Sequence, residues 1–390
     1  MEDSTSSIVT LFVYLVCILL ILIPVSYYFY AYFTQQSSET NEFNDFFGTT
    51  NTHLSSINYT DASFQYPLRD YYIKSAYNCC CIGNYSNDFV NLTALLDILK
   101  QGVRWLDFEI FSIDNNPVIA VSTTNSCYEK ESYNFITFSD FISCIKTNAF
   151  NSTVVNNYND PLFFHIRFKS NNIKMYNNLT TLFEQNLSTY LLSNTYNYNY
   201  QDDSNPSNVV HRNLGNVPLN YLGQNGDASN NVAPTITIVV SKQNTTFMGT
   251  PFYEYVNMLS DSVTCNLLTA DEVRYYNDTD ELTNHNKIFM TFETPNLTYN
   301  PQSPNVIASQ ALGIQCVGMR YIYSSSSLNS FLIQNEDFFD SNGYAFVLKP
   351  ADLRYIPSTF PLPTPLPSSY SFAPRSLSFA VGSQTIPGQI

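Results

Sequence analysis

Two stretches of this sequence set ionisable side chains at the alternating spacing of a β-strand. In Arg104–Phe111, Asp107 and Glu109 stand two residues apart, so both project from one face. In the stretch from Pro161 to Lys169, Phe163, His165, Arg167 and Lys169 share a face in the same way. Carboxylates, an imidazole and cations at that spacing serve one of two ends. Asp107, Glu109 and Arg167 line a pocket for a phosphate or head group, or Arg167 forms an internal ion pair with Glu109 or Asp107. A buried carboxylate must be paired, and arginine suits that role. Of the four histidines, His53, His211 and His285 fall in loop-like sequence. His165 alone lies on a predicted strand, where it is either a catalytic group or a hydrogen-bonded core residue. Tyr77, with an ordinary pKa near ~10, is a poor base at neutral pH.

The elements that must position these groups alternate between strand and helix. Strands are predicted at Asp70–Ala76, Arg104–Phe111, Pro117–Ser122, Pro161–Phe168, Thr235–Val240, Lys287–Glu293, Gly313–Tyr321 and Tyr344–Leu348. Between the first two lies a helix over Asp88–Gln101, with Leu92, Leu95, Leu96 and Leu99 on one stripe and Gly102 past its end. Phe138–Lys146 reads as another helix. Eight strands separated by helical or long segments predict an α/β fold, a closed (β/α)8 barrel of the TIM type.

Several of these stretches resemble phosphoinositide-specific phospholipase C, whose barrel is made of X and Y halves. The X-like half, 66–186, carries PLRDYYIKSAYNCC (Pro67–Cys80), QGVRWLDFEIFSIDNNPVIAVS (Gln101–Ser122), FITFSDFISCIKTNAF and DPLFFHIRFKSNN. The Y-like half, 233–355, carries the run from NPQSPNVIASQALGIQCVGMRYIY to GYAFVLKPADLR. The Asn-rich stretch 187–232 falls where the family has its variable X–Y linker, and reads as a long loop or disordered insert.

The resemblance implies two catalytic His and a calcium ion, and the departures fall on those positions. The two His align with Tyr77 and Val121. The calcium ligands align with Asn78, Asp107 and Glu109, and with Arg167 where a further Glu is expected. Calcium takes about 6–8 oxygens, so this site is degenerate and no cofactor is expected. The phosphate-binding cations align with Lys242 and Lys287. Metal-independent relatives use an Arg in place of the ion, but they keep both His. Valine carries no transferable proton. Each lost acid–base group typically costs roughly 10²–10⁴-fold. The expected function is therefore that of an inactive phospholipase C-like protein: a scaffold, a structural protein or a binder of phosphoinositide head groups. The alternative is an active phosphodiesterase with rearranged groups, Tyr77 and His165 being its candidates. A mouth plugged by Trp105, Phe111 and an Arg167 ion pair favours the first.

Residues Ile8 to Phe33 hold no charged side chain, which is long enough to cross a bilayer core of about 20 residues. The expected organisation is a transmembrane anchor (1–33), a polar stalk (34–65), the two half-barrels and their linker, and a Pro-rich extended tail (356–390). A single-pass membrane protein follows, with its membrane and orientation unassigned because no Lys or Arg flanks the span. The chain of 390 residues carries 17 Lys+Arg against 32 Asp+Glu, a net charge of -15. That balance argues against nucleic acid as a partner; protein partners are unassigned. Eight Cys are present, without zinc-site spacing, and free thiols with at most a bridge or two are expected.

Overall fold

The computed structural model describes residues 2–200, 212–223, 235–275, 287–292, 303–322, 330–355, 376–381 and 384–389. Residues 1–355 form one compact unit and 356–390 a second. The first unit is a nearly closed parallel barrel. Its staves are β1 (Tyr71–Ala76), β2 (Trp105–Ile113), β5 (Leu162–Phe168), β6 (Ile236–Ser241), β7 (Met258–Ser260), β8 (Cys265–Thr269), β9 (Ile288–Phe292) and β10 (Cys316–Met319). They are hydrogen-bonded in the order β7-β6-β5-β2-β1-β10-β9-β8. The seam falls between β7 and β8, which are linked by a turn in which Ser262 N donates to Cys265 O at 2.9 Å.

Two predicted staves are something else. Residues Asn116–Ala120 form β3, which runs antiparallel to β2 and continues to β4 (Ile136–Thr137). The turn between β2 and β3 is Asp114–Asn115, both at positive φ (51 and 65), the backbone of a tight hairpin. Residues Phe346–Leu348 form β11, antiparallel to β1. The barrel takes its remaining staves from β7 and β8, which were not predicted. Three residues in β7 are too few to show an alternation.

Helices pack on the outside: α1 (Glu2–Phe47), α2 (Leu92–Lys100), α3 (Phe138–Asn148), α4 (Ile173–Asn186), α5 (Leu219–Gly223), α6 (Ala270–Tyr275), α7 (Val306–Ala311) and α8 (Ser330–Asn342). In α2, the Asn91 side chain accepts from Thr93 N at 2.9 Å and caps the helix. Leu95, Ile98 and Leu99 are buried against the barrel wall. Gly102 ends the helix at φ +80, a conformation that favours glycine, and a Cβ there would have to displace Leu54 Cδ1, 2.4 Å away.

The stalk expected over 34–65 is helical as far as Phe47, and α1 lies on the barrel there. Phe43 and Phe47 are buried, Gln35 Nε2 donates to Asp88 at 3.3 Å, and Asn91 Nδ2 donates to Thr40 at 3.1 Å. Beyond it, Leu54, Ile57, Tyr59 and Phe64 are buried as well. Of the linker 187–232, the described parts are ordered against the barrel: Leu187, Leu192, Leu214, Leu219 and Leu222 are fully or almost fully buried. Residues 201–211 and 224–234 lie outside the described residues. The second unit is not wholly extended tail: Ser376–Val381 and Gln384–Gln389 pair as an antiparallel hairpin.

Candidate functional site

Alternation along the staves decides what enters the barrel. The register of β2 and β5 pairs Trp105 with Phe163, Asp107 with His165 and Glu109 with Arg167, which stacks the interior in layers. The deepest layer is apolar. Trp105 stacks on Phe163 with centroids 5.1 Å apart, among Ile73, Val239, Met290 and Phe346. Above it lie Asp107, His165 and Ser260. The top layer, at the carboxyl ends of the strands where barrel active sites form, holds Tyr77, Glu109, Arg167 and Phe292.

Arg167 binds everything around it. Its Nε and Nη2 grip Asp107 bidentately at 3.0 and 2.7 Å, Nη1 donates to Glu109 Oε1 at 2.5 Å, and Nη2 also reaches Asn78 Oδ1 at 2.6 Å. Its plane lies over the Tyr77 ring, 4.4 Å from the centroid, and Tyr77 stacks on Phe292 at 4.5 Å. Asp107 accepts further from Asn78 N at 3.1 Å and from His165 Nδ1 at 2.6 Å. An ionised carboxylate only accepts, so Nδ1 carries the hydrogen, and His165 Nε2 meets the Ser260 hydroxyl at 2.8 Å. Glu109 is completed by Ser122 Oγ at 2.9 Å and by Lys169 Nζ at 3.5 Å. Asn78 holds its place at φ 47 in the turn after β1, and its Nδ2 is buried without a partner.

Burial pushes against every charge here, and the pairing decides the outcome. For Asp107, burial opposes ionisation, but Arg167 and His165 outweigh it and hold the carboxyl at about 2. Burial likewise opposes the Arg167 cation, and Asp107, Tyr77 and Glu109 more than offset it, so the guanidinium stays protonated. Burial drives the Tyr77 phenol well above its ordinary value, Arg167 offsetting only part. Burial lowers the Lys169 ammonium. Because the folded value of Asp107 lies below its ordinary 3.8, its ionisation stabilises the fold above about pH 4. That contribution, about 2 kcal/mol at 1.36 kcal/mol per unit, is lost as pH falls from about 4 through about 2. Urea midpoints should accordingly drop over that interval, and the gap between the wild type and Asp107→Asn should narrow.

The structure brings together six of the sequence candidates: Tyr77, Asn78, Asp107, Glu109, His165 and Arg167. It separates two others. Lys242 is exposed just after β6. Lys287 precedes β9, so it lies at the amino end of a parallel stave, opposite the mouth; its motif suggested a site, but the strand direction removes it. His53 is exposed, and His211 and His285 lie outside the described residues. Of the expected plug, Arg167 is in place. Trp105 sits in the deepest layer, and Phe111 packs on Val118 and Ala120 in the hairpin. Tyr77 and Phe292 do the closing instead. Ser260, Ser122, Lys169 and Phe292 were missed as site residues. The strand spacing of Lys169 was visible in the sequence, but Ser260 sits on a stave too short to predict. Val121, aligned with a catalytic His, is buried, and its carbonyl accepts from Glu131 N at 3.0 Å.

What remains of the mouth is a cavity of about 70 Å³, lined by Tyr77, Glu109, Arg167 and Phe292 below and by Ser122, Thr123 and Thr124 above. That is room for a water or two at ~30 Å³ each, against roughly 300–1,000 Å³ for a ligand pocket.

Comparison with known proteins agrees with the barrel fold. Residues 64–213 match the family model of the phosphatidylinositol-specific phospholipase C X domain. The chain is phosphoinositide-specific phospholipase C-like. The matched span holds β1 to β5 and every charged group of the phospholipase C-like mouth. The fold is similar to the crystal structures of PLC21 from L. pealei and S. officinalis, each with a TM-score of 0.53 and 15% identity. These matches cover 79% and 78% of this chain but only 40% and 39% of theirs. No curated protein sequence matches the chain.

Proposed function

We propose that this phospholipase C-like barrel is not a working phospholipase. It serves as a membrane-anchored scaffold whose mouth is closed by its own side chains. The observation that carries the reading is the occupancy of the ligand oxygens. Asn78 Oδ1, both oxygens of Asp107 and Glu109 Oε1 accept from Arg167. These are the groups that the family resemblance assigns to calcium. A guanidinium in their midst repels a cation and uses their lone pairs, so the residues present do not fit the ion. The positions aligned with the two catalytic His hold a stacked Tyr77 and a buried Val121. The cavity of about 70 Å³ leaves no space for an inositol ring, which favours a scaffold over a head-group binder. The apolar run of α1, outside the barrel, supplies the anchor.

The test of activity is inositol phosphate release from phosphatidylinositol vesicles by the purified full-length chain, with and without calcium. No release above the protein-free control is expected. Release abolished by His165→Ala, and unaffected by His53→Ala, would overturn the reading in favour of a rearranged phosphodiesterase. Calcium itself is tested by calorimetry. The wild type is expected to give no binding heat at micromolar calcium, and Arg167→Glu to gain weak binding and a rise in melting temperature with added calcium. Tight binding by the wild type would refute the internal-cation account.

A further inference from the structure

We propose that Glu39 of α1 and Asp88 of the barrel form a proton-operated latch: one shared hydrogen fastens residues 34–47 to the barrel wall, and its loss as pH rises loosens them. The inference stands apart from the anchoring reading, since it concerns only the part of α1 that packs on the barrel.

The geometry sets two carboxyl groups face to face. Asp88 lies in the segment between β1 and α2 and is fully buried. Its Oδ1 accepts from Phe89 N at 2.9 Å and its Oδ2 from Asn84 N at 2.7 Å. Glu39 reaches the same place from α1, beyond the uncharged run that ends at Phe33. A Cβ on Gly83 would lie 2.2 Å from Asp88 Oδ2 and 2.9 Å from Glu39 Oε2, so the two oxygens meet over one bare backbone carbon. Gln35 Nε2 donates to Glu39 Oε1 at 3.1 Å and to Asp88 Oδ1 at 3.3 Å, one amide bridging both acids. Glu39 Oε2 is buried and receives no donor. Among the described residues no salt bridge joins either carboxyl to a cation. With both Asp88 oxygens acting as acceptors, Glu39 Oε2 is satisfied by carrying a hydrogen and donating it.

The surroundings leave that hydrogen on Glu39. Burial, the hydrogen bond to Asp88 and the Asp88 charge hold its carboxyl far above the ordinary 4.5, at about 8, against a smaller opposing effect of Gln35. Glu42, on the next turn of α1, adds negative charge in the same direction. The Cys81 thiol, pushed up to about 12 by burial, stays neutral and donates to Gly83 O and Asn84 O, each at 3.3 Å. The Tyr133 phenol, also raised by burial, stays neutral too. Arg320, just past β10, is turned to Gly83 O at 3.4 Å and to the face of Tyr85 at 4.3 Å. Docked Glu39 therefore holds a proton that the undocked helix gives up at its ordinary value. The contribution to docking is full below about pH 4.5 and is lost as pH rises through about 8. On one side of the latch Tyr32 packs on Phe89 and Tyr133, with centroids 4.9 and 5.2 Å away, and on the other follow Thr40, Phe43 and Phe47. Those contacts remain when the latch opens, so the helix loosens without leaving the barrel.

The test is amide hydrogen exchange over residues 34–47 of the full chain in phosphatidylcholine nanodiscs, corrected for the intrinsic pH dependence of exchange. Protection is expected to fall severalfold per pH unit between about pH 5 and 8, with about tenfold as the limit for one linked proton, and to level off above about pH 8. Glu39→Gln keeps a donor toward Asp88 without a titrating hydrogen, and should hold high protection across the range. Asp88→Asn removes the facing charge and should make the profile level off at lower pH. Glu42→Gln should keep the wild-type slope. Wild-type protection independent of pH would overturn the proposal. So would the wild-type slope persisting in Glu39→Gln, which would assign the proton to another buried acid such as Asp160, or a profile unmoved by Asp88→Asn. Wild-type protection restored at about pH 8 by millimolar calcium would equally overturn it, by making the pair a cation site.

Discussion

Replacing Arg167 by methionine is expected to destabilise the barrel by about 3–5 kcal/mol, the cost of removing one partner from a buried ion pair. The figure belongs at the upper end of that range. The substitution leaves two buried carboxylates, Asp107 and Glu109, with Lys169 as the nearest cation at 3.5 Å from Glu109 and none on Asp107. The measurement is urea unfolding at neutral pH. The combined variant Asp107→Asn, Glu109→Gln, Arg167→Met should recover most of the loss, because neutral side chains of similar volume remove the uncompensated charge. If Arg167→Met unfolds at the wild-type midpoint, the network contributes nothing and the mouth is free to open. If the single and combined variants are equally unstable, packing rather than charge is what Arg167 supplies.

Truncating Phe43 to alanine is the second large effect. Phe43 is fully buried between α1 and the barrel, with the tilted ring of Phe47 4.9 Å away and Phe47 in turn against Tyr321 at 5.4 Å. A buried Phe→Ala costs about 3–5 kcal/mol. The same loss should follow at Phe47, and the exposed neighbour Phe46→Ala should cost under ~1 kcal/mol. Thermal melts of the detergent-solubilised chain read all three. Equal, small effects at the three positions would return residues 34–47 to the role of a stalk.

These two sites show what the sequence made legible and where it stopped. Asp107, Glu109, His165 and Arg167 were legible from strand spacing together with the family resemblance: a period of two sets them on one face of each strand, and the barrel that the resemblance implies turns that face inward. Tyr77 and Asn78 came from the family resemblance, which fixes the turn after β1. The ion pair of Arg167 with Asp107 and Glu109 stayed one of two readings, since alternation says which face a residue takes and not what it touches. The barrel was legible in class but not stave by stave. Asn116–Ala120 is as apolar as a stave, and only the Asp114–Asn115 turn, a two-residue hairpin signal present in the sequence, marks it as antiparallel. Met258–Ser260 offers no periodicity at all, and with it Ser260, the partner of His165, was lost. The lower half of α1 was misread because its polar residues are many and its anchors, Phe43 and Phe47, are only two.

The unbroken passage of α1 from its apolar run to the barrel wall has a consequence for encounters between copies. Its single proline, Pro24, lies within the apolar run, so the one built-in bend is separated from the barrel by the segment that Tyr32 begins to clamp. A soluble barrel samples three rotational angles before it meets a neighbour in the right pose. In the anchored reading proposed above, one carried by a stiff helix is confined to a plane and searches mainly by spinning about the membrane normal. Weak lateral contacts between such copies then form at far lower density than the same contacts would need in solution, and always with the same flank exposed.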